Sequence, residues 1–156
     1  MQSHVLACAV ALAALGFAAT PAPQALPHST VAVDTPNGAV RFNVEVAEDN
    51  ASQMRGLMYR THLAADAGMF FDFHDDHLRA FWMKNTVLPL DMLFIRADGT
   101  ISSIAANATP YSVKAITSSE PVRAVLEING GRAAALDIKP GEKVHSVAFG
   151  NASPGQ

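Results

Sequence analysis

Between Thr30 and Val46 the chain reads TVAVDTPNGAVRFNVEV. Val40, Phe42, Val44 and Val46 alternate with Arg41, Asn43 and Glu45, the period of two that buries one face of a strand and wets the other. Thr30–Val33 is a shorter run of the same kind, and Asn37-Gly38 between them supplies the positive φ angles that a tight hairpin turn needs. Two strands joined by a hairpin therefore open the folded part of the chain. Asp49 or Asn50 then stands where it can cap a short helix running to about Leu57, with Gly56 near its end.

Further on, short apolar runs and turn signals keep recurring. Gly68–Phe73 and Leu78–Met83 flank an acidic, histidine-bearing loop, and Leu90–Ile95 and Thr100–Ala105 flank an Asp98-Gly99 turn, a second hairpin. Asn107–Pro121 is polar and aperiodic, which reads as a long loop. Val122–Ile128 is another strand, stopped by Asn129-Gly130-Gly131, and Arg132–Leu136 has room for one helical turn. Pro140-Gly141 turns the chain into a last strand at Lys143–Phe149. About seven short strands with one or two short helices specify a mainly β domain, a compact antiparallel sandwich or barrel. It occupies residues 30–150 and leaves 151–156 as a disordered tail.

Three stretches of this domain together resemble the family known as domain of unknown function 192. They are MRGLMYR at 54–60 followed by GMFF at 68–71, FWMKNTVLPLDMLFI at 81–95, and VLEINGG at 125–131 followed by IKPGE at 138–142. The likeness covers about residues 40–149. It implies a small, mostly β domain, often exported in bacteria, and brings no activity with it.

Upstream, Val5 to Ala19 (VLACAVALAALGFAA) is uncharged and apolar, long enough for the core of a signal peptide but short of the roughly 20 residues of a membrane span. Pro21, Pro23 and Pro27 follow, and Gly16, Ala18 and Ala25 offer small residues for cleavage. Residues 1–22 are thus expected to be a signal peptide cleaved near residues 18–25, and 23–29 a linker, so that the domain works in the periplasm or outside the cell. Met1-Gln2-Ser3-His4 carries no Lys or Arg, which keeps a retained anchor as the alternative. Cys8 precedes the apolar core instead of following it, which argues against lipidation.

Every Asp, Glu, Lys and Arg lies beyond this segment, so the net charge of −3 belongs to the domain. Mild acidity with no basic cluster argues against nucleic acid as a partner. The one cysteine is Cys8, and once it is removed the domain has no disulfide, no thiol nucleophile and no cysteine-ligated metal. No cofactor is expected, no membrane span remains after cleavage, and the domain is expected to be a monomer.

Polar residues set in apolar runs carry the chemistry. Lys84, Asn85 and Asp91 interrupt the stretch from Phe81-Trp82-Met83 to Leu88–Ile95, and a buried charge must be paired or hydrogen-bonded. Lys84 and Asp91 either form a structural ion pair or face into a pocket. Arg55 stands beside Gly56, and Glu127 shares a strand face with Val125 and Asn129, opposite Leu126 and Ile128. One of those faces is core, and on it Glu127 would need a partner, for which Arg55 is a candidate.

If these side chains converge, the cleft is lined by Arg55, Trp82, Lys84, Asn85, Asp91 and Glu127. The cations suit a carboxylate or phosphate, and Trp82 with the acids and amide suits a sugar ring. The first functional reading is therefore a binding or accessory domain for a small polar or anionic molecule or a saccharide. The second is a hydrolase of envelope saccharides with Asp91 and Glu127 as acid and base. The third is a structural or protein-interaction domain, which predicts an exposed apolar patch and no polar cleft. His74 and His77, among Asp72, Asp75 and Asp76, are the candidates for a metal. A solvated turn between two strands explains that composition as well.

Overall fold

The computed structural model describes residues 25–152; the expected signal peptide, the start of the linker and residues 153–156 lie outside them. The chain is mainly β. Its elements are β1 (His28–Val33), β2 (Val40–Ala47), α1 (Asn50–Arg55), β3 (Ala67–His77), β4 (Ala80–Phe81), β5 (Leu90–Ile95), β6 (Ile101–Ala108), β7 (Ile116–Thr117), β8 (Val122–Asn129), α2 (Arg132–Ala135) and β9 (Val144–His145). A 3-10 turn at Val147–Phe149 follows. No helix among the described residues is long and apolar enough to cross a membrane.

Seven strands form one sheet in the order β6-β5-β8-β3-β2-β1-β9, and β4 and β7 make a separate two-stranded ribbon. The large sheet curls into a half-barrel, so that Thr100 before β6 bridges Lys143 before β9. Both expected hairpins form: β1 pairs β2 antiparallel, with Val31 opposite Phe42, and β5 pairs β6. The expected antiparallel order changes at one place. β2 and β3 run parallel, Val44 opposite Gly68, because α1 and the loop after it return the chain to the starting end of the sheet.

Three local expectations are revised. Asp72–His77 is not a loop but the outer half of β3, exposed from His74 onward, where the register with β8 breaks. The stretch 107–121 contains the end of β6 and all of β7. Beyond the domain's expected end at residue 150, the side chain of Asn151 accepts from Ser146 N at 3.0 Å and donates to Val144 O at 3.0 Å, which anchors the start of the tail.

Both faces of the sheet are buried. One cluster joins Val31, Phe42, Phe70, Leu93, Leu126 and Ile128. The other joins Leu57, Met69, Phe71, Met83, Met92 and Val125 beneath α1 and the ribbon. Strands β5 and β8 are therefore buried on both sides, which explains why LDMLFI shows no alternation and is apolar at every position but Asp91. The ring of Phe81, from the ribbon, meets Phe71 edge-on at 5.1 Å and Phe94 at 6.1 Å.

Candidate functional site

Since both faces of β8 are core, Glu127 is buried whichever way it points. Alternation puts it on the face with Val125, between Met69 of β3 and Met92 of β5 in register. The residue is 4% exposed. Burial alone pushes its carboxyl up to about 8, so at neutral pH it is mostly protonated and uncharged. Among the described residues it takes part in no ion pair. The expected Arg55–Glu127 bridge is not formed.

Above Glu127 lies α1. Asp49 caps it, accepting from Ser52 N at 2.9 Å, and that backbone hydrogen bond holds the Asp49 carboxyl below its ordinary value. Gln53 ties the helix down by donating to Ala47 O at 3.3 Å and Asp72 O at 3.0 Å. The helix stops at Gly56, whose φ of 48° and ψ of −136° suit glycine almost alone. The ring of Phe71 lies 3.4 Å from where a Gly56 Cβ would stand. Gly56→Ala is accordingly expected to destabilise the domain by about 1–3 kcal/mol. Urea unfolding checks this, and an unchanged midpoint would mean that the helix end relaxes freely.

Between α1, the loop after it and Glu127 is a cavity of about 30 Å³, with Arg55, Gly56, Met58, Trp82 and Thr86 in its wall. That is room for about one water and no sugar ring. Arg55 and Gly56 are also the wall of an open groove of about 750 Å³, whose other lining includes Glu45, Asp49, Ser52 and Arg60. The groove's edge is fixed by a two-pronged pair, Arg60 Nη1 to Glu45 Oε1 at 2.5 Å and Nη2 to Oε2 at 2.6 Å. Donation by Arg60 holds the Glu45 carboxyl below its usual range. On the far side of α1, Trp82 and Met54 border a third, mostly apolar groove of about 460 Å³ with Phe73, Leu78 and Phe81.

Of the six residues expected to line one cleft, Arg55, Trp82 and Glu127 share a cavity wall. Lys84 and Asn85 sit on the adjoining loop. The Lys84 ammonium stands 5.1 Å from the centre of the Trp82 ring. Asn85, at φ 55°, donates to Tyr59 Oη at 2.7 Å and accepts from Tyr59 N at 2.9 Å through its carbonyl, which fastens the loop after α1 to the loop after β4.

Asp91 is elsewhere. Its strand neighbour Leu93 belongs to the opposite core cluster, so Asp91 and Glu127 face opposite sides of the sheet and form no carboxylate pair. Nor does Asp91 pair with Lys84. Its side chain, fully buried, accepts from Asn107 N at 2.8 Å and Gly131 N at 2.9 Å on Oδ1, and from Ala133 N at 2.8 Å on Oδ2. These donors include the first turn of α2, so Asp91 braces β6 where its register with β5 shifts, shapes the Gly130-Gly131 turn and starts the helix.

His74 and His77 are not brought to one point as a pair. His77 Nδ1 lies 3.1 Å from Asp75, whereas His74 groups with Asp72 and Glu48. Asp72 is already engaged by Arg123 Nε at 3.1 Å and by His74 N at 2.9 Å.

Sequence reasoning missed Thr86, Met58 and the Glu45–Arg60 clamp. Arg60 stands in the MRGLMYR stretch, but no spacing in the sequence links it to Glu45 on β2. Tyr59 carries no sequence signal for its φ of 63°.

A model of the domain of unknown function 192 family (uncharacterized ACR) matches residues 32–146. A solved structure from Sinorhizobium meliloti 1021, described as a candidate transcription regulator, is 42% identical with a TM-score of 0.79, over 81% of this chain and 99% of that one. Another, of a protein of unknown function from Novosphingobium aromaticivorans, is 44% identical with a TM-score of 0.76, over 83% of this chain and 94% of that one. No curated protein matches the chain.

Proposed function

The chain belongs to the domain of unknown function 192 family, and we propose that it is an exported binding domain that holds a small polar or anionic molecule against α1, with one group of that molecule reaching Glu127. The observation that carries this reading is the buried Glu127 carboxyl, unbridged among the described residues, in the wall of a cavity that it shares with Arg55. A glutamate in such a place lowers stability at neutral pH relative to an amide or apolar residue, which favours a use for it. Sizes narrow the ligand. About 30 Å³ beside Glu127 admits a hydroxyl, an amide or a single carboxylate oxygen, while the groove of about 750 Å³ beyond Arg55 takes the body of the molecule. A protonated Glu127 can donate a hydrogen bond to an anion that an ionised one would repel.

Export rests on the apolar Val5–Ala19 segment and the prolines after it, and the work is assigned to the periplasm. A saccharide remains within the ligand class as a molecule lying in the outer groove. The hydrolase reading loses its motivation with Asp91 and Glu127 on opposite faces, since acid–base cleavage of a glycosidic bond uses two carboxyls flanking it.

The test is a thermal-shift screen of sugars, phosphates and dicarboxylates against the protein and its Arg55→Gln variant. One class should raise the melting temperature, with affinity at least about tenfold weaker in Arg55→Gln and declining as pH passes 8. If no class shifts the melting temperature, or the shift is indifferent to both Arg55 and pH, the reading is wrong.

A further inference from the structure

The segments 50–60, 78–90 and 109–119 contain Arg55, Arg60, Arg79, Lys84 and Lys114 and not one Asp or Glu, in a chain whose net charge is −3. Arg60 and Arg79 are paired with Glu45 and Asp75. Arg55, Lys84 and Lys114 enter no ion pair among the described residues. Val147 apart, every large apolar side chain that is exposed among the described residues lies in these same three segments, including Met54, Tyr59, Leu78, Trp82, Tyr111 and Val113.

The fold gathers the three segments on one side, over the cluster beneath α1. Asn85 joins Tyr59 as described; Tyr111 N donates to Thr86 O at 3.1 Å, and Met83 N to Ser112 O at 2.8 Å. Met54, Leu78 and Trp82 border one groove. Tyr59 and Tyr111 are held outward at φ 63° and 61°, a conformation that costs a bulky residue about 1–3 kcal/mol and concentrates at working surfaces.

We propose that this face docks on an anionic phospholipid bilayer, with Trp82, Tyr59 and Tyr111 at headgroup level and Lys84 and Lys114 against lipid phosphates. Trp and Tyr carry an apolar body with a polar tip and favour that depth. Lysine stems lie along apolar surface while their ammonium reaches the charged layer. An acidic protein would match the charge too, but protein interfaces are depleted in lysine, and here two of the three unpaired cations are lysines. The inference stands on this surface and does not depend on the use of Glu127.

Trp82 is the one tryptophan in the chain and sits within the patch, so its fluorescence reports on this face and on no other part of the protein. The full chain is titrated with vesicles of phosphatidylcholine alone or mixed with phosphatidylglycerol, with and without brominated acyl chains. With anionic vesicles the Trp82 emission should shift to the blue and be quenched by the bromines, and added salt should reverse both. Lys114→Glu should weaken the response by about fivefold or more, and Val113→Asp should weaken it as well. Both side chains are exposed, and circular dichroism confirms that the variants fold. Glu127→Gln should leave the response unchanged, which separates failure here from failure of the binding reading. The proposal is overturned if the protein sediments with vesicles while Trp82 emission stays constant, since attachment would then be through another segment. It is equally overturned if neutral vesicles give the same response, or if soluble polyglutamate shifts Trp82 and vesicles do not.

Discussion

Glu127→Gln is expected to make the domain more stable than the natural protein, and increasingly so as the pH rises from about 4.5 to 8. The sign follows from proton counting. In the unfolded chain the carboxyl titrates near 4.5, whereas in the folded state burial raises it to about 8. Between those values the folded protein binds the extra proton, so each step upward in pH favours unfolding. The stability that the neutral carboxyl retains is full below about pH 4.5 and has been lost by about pH 8. At 1.36 kcal/mol per pH unit the loss is on the order of 5 kcal/mol, a large share of the roughly 5–15 kcal/mol typical of a domain. Glutamine has the same shape and no charge to bury, so its unfolding free energy should lack this slope. Urea unfolding of both proteins across that range measures it. Parallel curves would mean that Glu127 is ionised in the folded state with a partner other than those described.

Asp91→Ala should produce the opposite outcome and a larger one: loss of most of the folding free energy at any pH. The substitution strands the amides of Asn107, Gly131 and Ala133 in the interior. Each buried donor left without a partner costs about 1–3 kcal/mol, so the sum is roughly 3–9 kcal/mol. Asp91→Asn is a graded control. It keeps one carbonyl oxygen but turns an amide NH₂ toward at least one of the three donors. The expected order of urea midpoints is natural protein, then Asp91→Asn, then Asp91→Ala. If Asp91→Ala unfolded within about 1 kcal/mol of the natural protein, those three amides would have to find other acceptors and the assignment of Asp91 to architecture would fail.

These two carboxylates also mark how far the sequence could be read. Both interrupt apolar strands, and the cost of burying charge was enough to single them out. Separating a carboxylate that organises three amides from one that has no ion-pair partner among the described residues needs the strand register. Leu93 and Met92 belong to opposite clusters, and that difference of one residue sends Asp91 and Glu127 to opposite faces. The hairpins, the α1 cap and the β-rich architecture were legible because each rests on local chemistry: alternation, Asn37-Gly38, Asp98-Gly99 and Asp49 before the helix. The parallel β2–β3 pair was not, because nothing between Glu48 and Asp66 says on which side of β2 the chain returns. The outer half of β3 was missed for a related reason. Asp72, His74, Asp75 and Asp76 are poor strand formers, and the strand is held there by the pairing of Asp72 and His77 with β8, on either side of an irregular stretch that includes His74 at φ 60°. As for the site, Arg55, Trp82 and Glu127 were found as polar or aromatic interruptions. The Glu45–Arg60 clamp was not, since it joins a wet strand face to a loop fifteen residues on.

The position of β8 between β3 and β5 sets the order in which the molecule can be assembled. Met69 and Met92 wait for a common neighbour, Glu127, that is made long after either of them. Until Val122–Asn129 arrives, β1–β2–β3 and β5–β6 are two fragments with open inner edges and no strand between them. Nucleation must therefore span most of the chain, which makes folding slow and strongly cooperative. A protein wired in this way cannot complete its sheet until residue 129 is available.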